Sequence, residues 1–211
     1  MIYLLSPLEK EGTHALPMIE FTIVSDSINF TTCDTLMFTS KQAVISADRI
    51  DNNWKNYPCI AIGKATKKKI EELEGEVIYA PKAFYAEELS KEIVEKFAEK
   101  KILYLRPKEV SFDSKGFLSQ RGISLEEQIL YETSCVSYLK EKKPVEHAVI
   151  IFTSPSTIKC FFKNFIWDTS YVAVLIGEAT KKYLPHACKC VVADVPLITS
   201  CIKKAKEVEK S

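Results

Sequence analysis

The chain has 211 residues, with 29 Lys+Arg against 28 Asp+Glu, 46% hydrophobic and 10% aromatic, which excludes disorder, collagen and a supercharged tail. A chain of this length buries about 70% of its unfolded surface and can form one domain or two small ones without metals or disulfides for stability. The net charge of +1 gives no support to a nucleic-acid surface, and no apolar run approaches the ~20 residues of a membrane span.

In chain order, Met1 to Leu5 predicts a short strand, followed by a shortened helix at 8–14, and 19–23 reads as a crossing segment. Apolar runs at 35–38, 59–62, 76–79 and 102–105 predict strands, separated by helical patterns at 41–50, 65–74 and 86–99. A second crossing falls at 131–136. Strands near 147–152, 171–176 and 190–193 then alternate with helices near 156–165, 179–184 and 197–208. Short buried strands alternating with such helices predict an α/β fold with helices on both faces of parallel sheets.

The chain also contains itself twice. Leu36-Met-Phe-Thr39-Ser40 matches Ile150-Ile-Phe-Thr153-Ser154, and Ile62-Gly63-Lys-Ala65-Thr66 matches Ile176-Gly177-Glu-Ala179-Thr180, both at an offset of 114 residues. The second copy lacks a strand equivalent to Ile102-Leu-Tyr-Leu105, and Met1-Ile-Tyr-Leu-Leu5 supplies one at an offset of 100. The expected organisation is therefore a discontinuous first domain, 1–18 with 136–211, and a second of 19–135. Two crossings make a two-stranded hinge and imply a cleft between the domains.

In each copy Thr-Ser and Gly-x-Ala-Thr follow strands and open helices, where hydroxyls and free N–H groups form an anion site by geometry. They would serve equally as plain N-caps. Lys67, Lys68, Lys69, Lys181 and Lys182 are expected in first helical turns, where cations oppose the dipole unless an anion offsets them; a solvated Lys-rich face is the alternative. Tyr131, at a crossing, is placed to donate a hydrogen bond into the cleft or simply to pack. Arg106, at a strand's carboxyl end, suits a ligand carboxylate or a surface Glu.

Nucleotide, dinucleotide, zinc-protease and hydrolase motifs are all missing from the sequence. Its three His and seven Cys have no regular metal spacing, so no metal is expected. An odd number of Cys with no preceding signal-peptide pattern points to a reducing compartment, the cytoplasm.

These motifs, with Leu103-Tyr-Leu-Arg106, Leu130-Tyr131-Glu-Thr133 and Phe152-Thr153-Ser154-Pro155-Ser156, stand in an order that resembles the uroporphyrinogen-III synthase family over nearly the whole chain. The resemblance implies two flavodoxin-like domains joined by a two-stranded ladder, and a cofactor-free hydro-lyase of haem biosynthesis. Such an enzyme closes hydroxymethylbilane with loss of water and inverts the terminal ring through a spiro intermediate. It also implies catalysis by Tyr131, with substrate-carboxylate contacts at Thr39, Ser40, Gly63, Thr66, Thr153, Ser154, Ser156, Gly177 and Thr180, to which the strand-end reading adds Arg106. Transient handover from hydroxymethylbilane synthase and a monomeric state are further expectations. Ser6-Pro7 departs from the family's Arg-Pro, and Glu178 would repel a carboxylate unless it points away. The rival reading is a non-catalytic two-domain binding protein or sensor for an anionic metabolite, which has no need of Tyr131.

Overall fold

Strands covered on both faces must be apolar along their whole length, and the buried runs of this chain meet that condition. The computed structural model describes residues 1–7, 9–81 and 85–210. Its strands are β1 (Ile2–Leu4), β2 (His14–Ala15), β3 (Ile19–Ile23), β4 (Thr35–Phe38), β5 (Cys59–Ala61), β6 (Val77–Tyr79), β7 (Ile102–Pro107), β8 (Leu125–Cys135), β9 (Val149–Phe152), β10 (Val172–Leu175) and β11 (Cys190–Val192). Its α-helices are α1 (Lys41–Ile50), α2 (Lys64–Glu72), α3 (Ala86–Lys96), α4 (Ser114–Ser119), α5 (Pro155–Asn164), α6 (Glu178–Lys181) and α7 (Ile198–Glu209).

These elements form two compact units, Met1–Glu20 with Ser134–Ser211, and Phe21–Thr133. The first holds a sheet of order β11-β10-β9-β1-β2 with every pairing parallel. Numbered in its own chain order this is 2-1-3-4-5, the flavodoxin-like doubly wound arrangement. The second unit contains β8-β7-β4-β5-β6, again parallel throughout, with β3 beside β8. Counting from β7 recovers 2-1-3-4-5, so the two sheets are circular permutations of one arrangement. Strand β1 lies beside β9 as β7 lies beside β4. The chain passes between the units inside β3 and again inside β8.

Alternate side chains of each strand go to opposite faces, each covered by helices. In the second unit Leu36, Phe38, Leu103 and Leu105 pack with Ala43, Val44 and Ala47 of α1, while Met37, Ile60 and Tyr104 pack with Leu89 and Ile93 of α3. In the first unit Ile150, Phe152 and Leu175 meet Ile158 and Phe161 of α5, while Leu4, Val149 and Ile151 meet Cys201 and Ala205 of α7. Each fully buried Leu, Ile or Phe contributes about 1.5–3 kcal/mol.

The structure departs from expectation in four places. Residues 9–15 form no helix: Gly12 turns with φ at 76° and β2 comes next, because Glu9-Lys10-Glu11 offers no apolar face to bury. Leu8, the start of that expected helix, lies outside the described residues. Strand β8 begins at Leu125, well before the expected crossing, hidden in sequence by Glu126-Glu127-Gln128. Helix α6 stops at Lys181, and the N–H groups of Tyr183 and Leu184 close tighter turns onto Thr180 and Lys181, at 3.1 Å each, ahead of Pro185. Finally, Cys135 and Cys160 form a disulfide between the end of β8 and α5, which runs against the reducing compartment read from the cysteines.

Candidate active site

Where a doubly wound sheet reverses its strand order, the loops after adjacent strands diverge to opposite faces and leave room for a ligand at the carboxyl edge. The reversal falls between β4 and β7 in the second unit and between β9 and β1 in the first. Thr39-Ser40 follows β4 and Arg106 lies near the end of β7; Thr153-Ser154 follows β9.

Ser40 is the N-cap of α1, its Oγ accepting from the Ala43 N–H at 3.0 Å. The same oxygen lies 2.9 Å from the Tyr131 hydroxyl, and the neighbouring Thr39 Oγ1 lies 2.6 Å from the Tyr104 hydroxyl. Two phenols on adjacent strands thus hold two adjacent hydroxyls. They arrive from opposite faces of the sheet, Tyr131 from the α1 layer and Tyr104 from the α3 layer. Burial pushes the Tyr131 phenol above its usual range, against the Ser40 hydrogen bond. Burial likewise pushes Tyr104 up to about 12, against the Thr39 bond and the Arg106 charge. Both keep their protons at neutral pH.

Arg106 is committed locally. Its guanidinium is 3.3 Å from the Glu127 carboxylate and donates through Nη1 to the carbonyls of Pro107 and Lys108 at 2.9 and 3.0 Å. Its Nε is buried without a hydrogen-bond partner.

One strand along, Gly63 caps α2 and Gly177 caps α6, both with extended backbone that any residue adopts. A Cβ added to Gly177 would meet nothing within 4 Å, so the space before that turn is open. Thr66 and Thr180 are each only 4% exposed, beneath the edge rather than on it. Ser154 caps α5 in a capping box with Thr157, with Pro155 in the first turn. Thr153 is half-buried and Ser156 exposed. Thr39, Ser40, Arg106 and Tyr131 therefore gather at one reversal, with Gly63 beside them. Thr153, Ser154 and Ser156, with Gly177 beside them, belong to the other unit.

Lys67, Lys68 and Lys69 of α2, expected in a first turn, each meet a carboxylate of their own helix, and Lys69 stands in its last turn. Lys67 meets Glu71 at 3.6 Å, Lys68 meets Glu72 at 3.9 Å, and Lys69 also pairs with Glu72. The Lys69 hydrogen bond, with the charges of Lys69 and Lys68, holds the Glu72 carboxyl below its usual range. Lys181 and Lys182 stand at the carboxyl end of α6, where cations suit the helix, and not in its first turn as expected.

Sequence reasoning missed Tyr104 and Glu127. A hydroxylated ring inside the apolar run Leu103-Tyr104-Leu105 was the available signal for the first. Nothing in the sequence marked the second, whose partner is fixed by the pairing of β8 with β7.

Residues 7–203 match the family model described as uroporphyrinogen-III synthase HemD. The chain is similar to the crystal structure of uroporphyrinogen-III synthetase from Helicobacter pylori, with 25% identity over 98% of each chain and a TM-score of 0.83. It also shares its fold with a mutant uroporphyrinogen III synthase from Thermus thermophilus, with 13% identity over 99% of this chain and 98% of the other and a TM-score of 0.62. Among curated protein sequences no match is found. No three His, Cys, Asp or Glu side chains gather as metal ligands among the described residues, and no helix there is long and apolar enough to cross a membrane.

Proposed function

The chain belongs to the uroporphyrinogen-III synthase family, and from that premise we propose how its residues share the work of the reaction. The activity is that of a hydro-lyase: hydroxymethylbilane closes to uroporphyrinogen III with loss of water, and the family's reaction uses no cofactor.

Loss of the terminal hydroxyl leaves an electrophilic azafulvene. Left alone, this closes through the free carbon of the last ring to the uninverted isomer. The inverted product requires the substituted carbon of that ring to attack first, giving a spiro centre that fragments and recloses with the ring reversed. Positioning therefore dominates, and one acid at the departing hydroxyl suffices.

Tyr131 is that acid in this reading. The observation that carries it is the protonated, buried phenol 2.9 Å from the Ser40 hydroxyl at the strand reversal. Ser40 holds the phenol before substrate arrives, the proton then passes to the leaving oxygen, which departs as water, and the proton released when the ring closes restores the phenol. Thr39, Ser40, Gly63 and Arg106 at the sheet edge of the second unit, and Thr153, Ser154, Ser156 and Gly177 at that of the first, are the contacts for substrate carboxylates. Helix N-termini suit such anions. Thr66 and Thr180 support the two Gly turns from beneath. Arg106 would exchange Glu127 for a substrate carboxylate. A substrate that closes wrongly when free favours direct handover from hydroxymethylbilane synthase to a monomeric acceptor.

Freshly generated hydroxymethylbilane, supplied to the protein with the product isomer determined, tests this reading. Inverted isomer formed above the spontaneous background is expected; only the uninverted isomer would reject the activity.

A further inference from the structure

We propose that Tyr104 is a positioning residue for this reaction: its phenol fixes the Thr39 hydroxyl so that the Thr39 proton points to a substrate carboxylate. The proposal rests on the reading of Thr39 as a substrate contact and gives a role to Tyr104, which the motif Leu103-Tyr-Leu-Arg106 contains but to which none was assigned.

Three observations lead to it. First, Tyr104 is 2% exposed among Met37, Ile60, Leu89 and Ile93, where a Phe would pack as well without a polar atom to satisfy. A hydroxyl buried in such a setting costs free energy unless it is bonded. Its bond is to Thr39 Oγ1, at 2.6 Å, immediately beyond β4 at the strand reversal.

Second, the duplication supplies an internal control. The position equivalent to Tyr104 in the first unit is Leu4, on β1, which pairs with β9 as β7 pairs with β4. Leu4 is fully buried in an ordinary apolar cluster. The fold therefore does not require a phenol at this position. The copy that carries it is the copy that also carries Tyr131.

Third, the polarity of the bond is set by acidity. A phenol is a stronger donor than an aliphatic alcohol, so the favoured arrangement has Tyr104 donating to Thr39 Oγ1. The single Thr39 proton is then free, and a hydroxyl that accepts one hydrogen bond donates the next more strongly. A carboxylate accepts only, so a hydroxyl held as a donor at the edge suits it.

A double-mutant cycle tests the proposal, using Tyr104→Phe, Thr39→Val and their combination, with hydroxymethylbilane as substrate and denaturant midpoints to monitor folding. Each single change should lower kcat/KM by about fivefold to tenfold, the scale of one hydrogen bond, mainly through KM. In the Thr39→Val background, Tyr104→Phe should cost nothing more. In a Thr39→Ser background, which restores the hydroxyl, its cost should return. Equal penalties for Tyr104→Phe with and without the Thr39 hydroxyl, or no penalty in either, would overturn the proposal while leaving the family activity intact. A wild type that makes none of the inverted isomer would overturn the activity and this proposal with it.

Discussion

The phenol of Tyr131 is useful as an acid only while it keeps its proton, and its burial secures that. Because its folded pKa is raised above the ordinary 10.0, the acid form is complete through neutral pH and is lost only as pH climbs past that value. The alkaline limb of kcat/KM attributable to Tyr131 should therefore lie above pH 10, as a pH-rate profile will show. Tyr131→Phe removes the acid and one hydrogen bond to Ser40. Turnover should fall on the order of a hundredfold, and denaturant unfolding should register a loss within about 1 kcal/mol. An unchanged rate would take Tyr131 out of the mechanism. The hydroxyls of Thr39 and Ser40 were legible in the sequence because Thr-Ser occurs twice, at the same spacing as Gly-x-Ala-Thr. Their partners were not. The Thr39 bond to Tyr104 spans 65 residues and exists because β7 pairs with β4, a neighbour relation that no local pattern encodes.

Among the elements, those with a continuous apolar run or a clear cap were readable directly. Strand β4 and helix α1 fall at the expected residues because Thr35–Phe38 is buried throughout and Ser40 caps the helix. Strand β8 was legible only at its far end, since three polar residues near its start mask a strand that meets β7 on one side and β3 on the other. Element packing also makes one glycine hard to replace. A Cβ at Gly75, just past α2, would come within 3 Å of the Trp54 ring and 2.8 Å from Ile70 Cγ2. Both neighbours are fully buried, and the Trp54 indole N–H donates to Asp48 at 3.2 Å, so the ring has little room to give. Gly75→Ala should cost about 1–3 kcal/mol, read from its denaturant midpoint, with the N–H bond of residue 75 to Ile70 retained.

For the whole molecule, the two units are bound by different means. The Cys135–Cys160 disulfide lies within the first unit and closes a loop across 25 residues, while the second unit has no disulfide among its described residues. Cross-linking at that separation restricts the unfolded chain by about 3 kcal/mol. Replacing both cysteines with Ala should therefore destabilise the first unit by roughly that amount. Amide exchange should accelerate on β9 and β10 and keep its rate on β4 and β5; equal acceleration in both would show that the units unfold together.

Threading gives β1 a further consequence during synthesis. Ile2 and Leu4 are translated well before their sheet neighbour Val149–Phe152. At about 5–20 residues per second, the nascent chain carries these two aliphatic side chains without β9 for roughly seven to thirty seconds. Residues 21–133 are complete by then, so the second unit can mature while β1 still waits for β9.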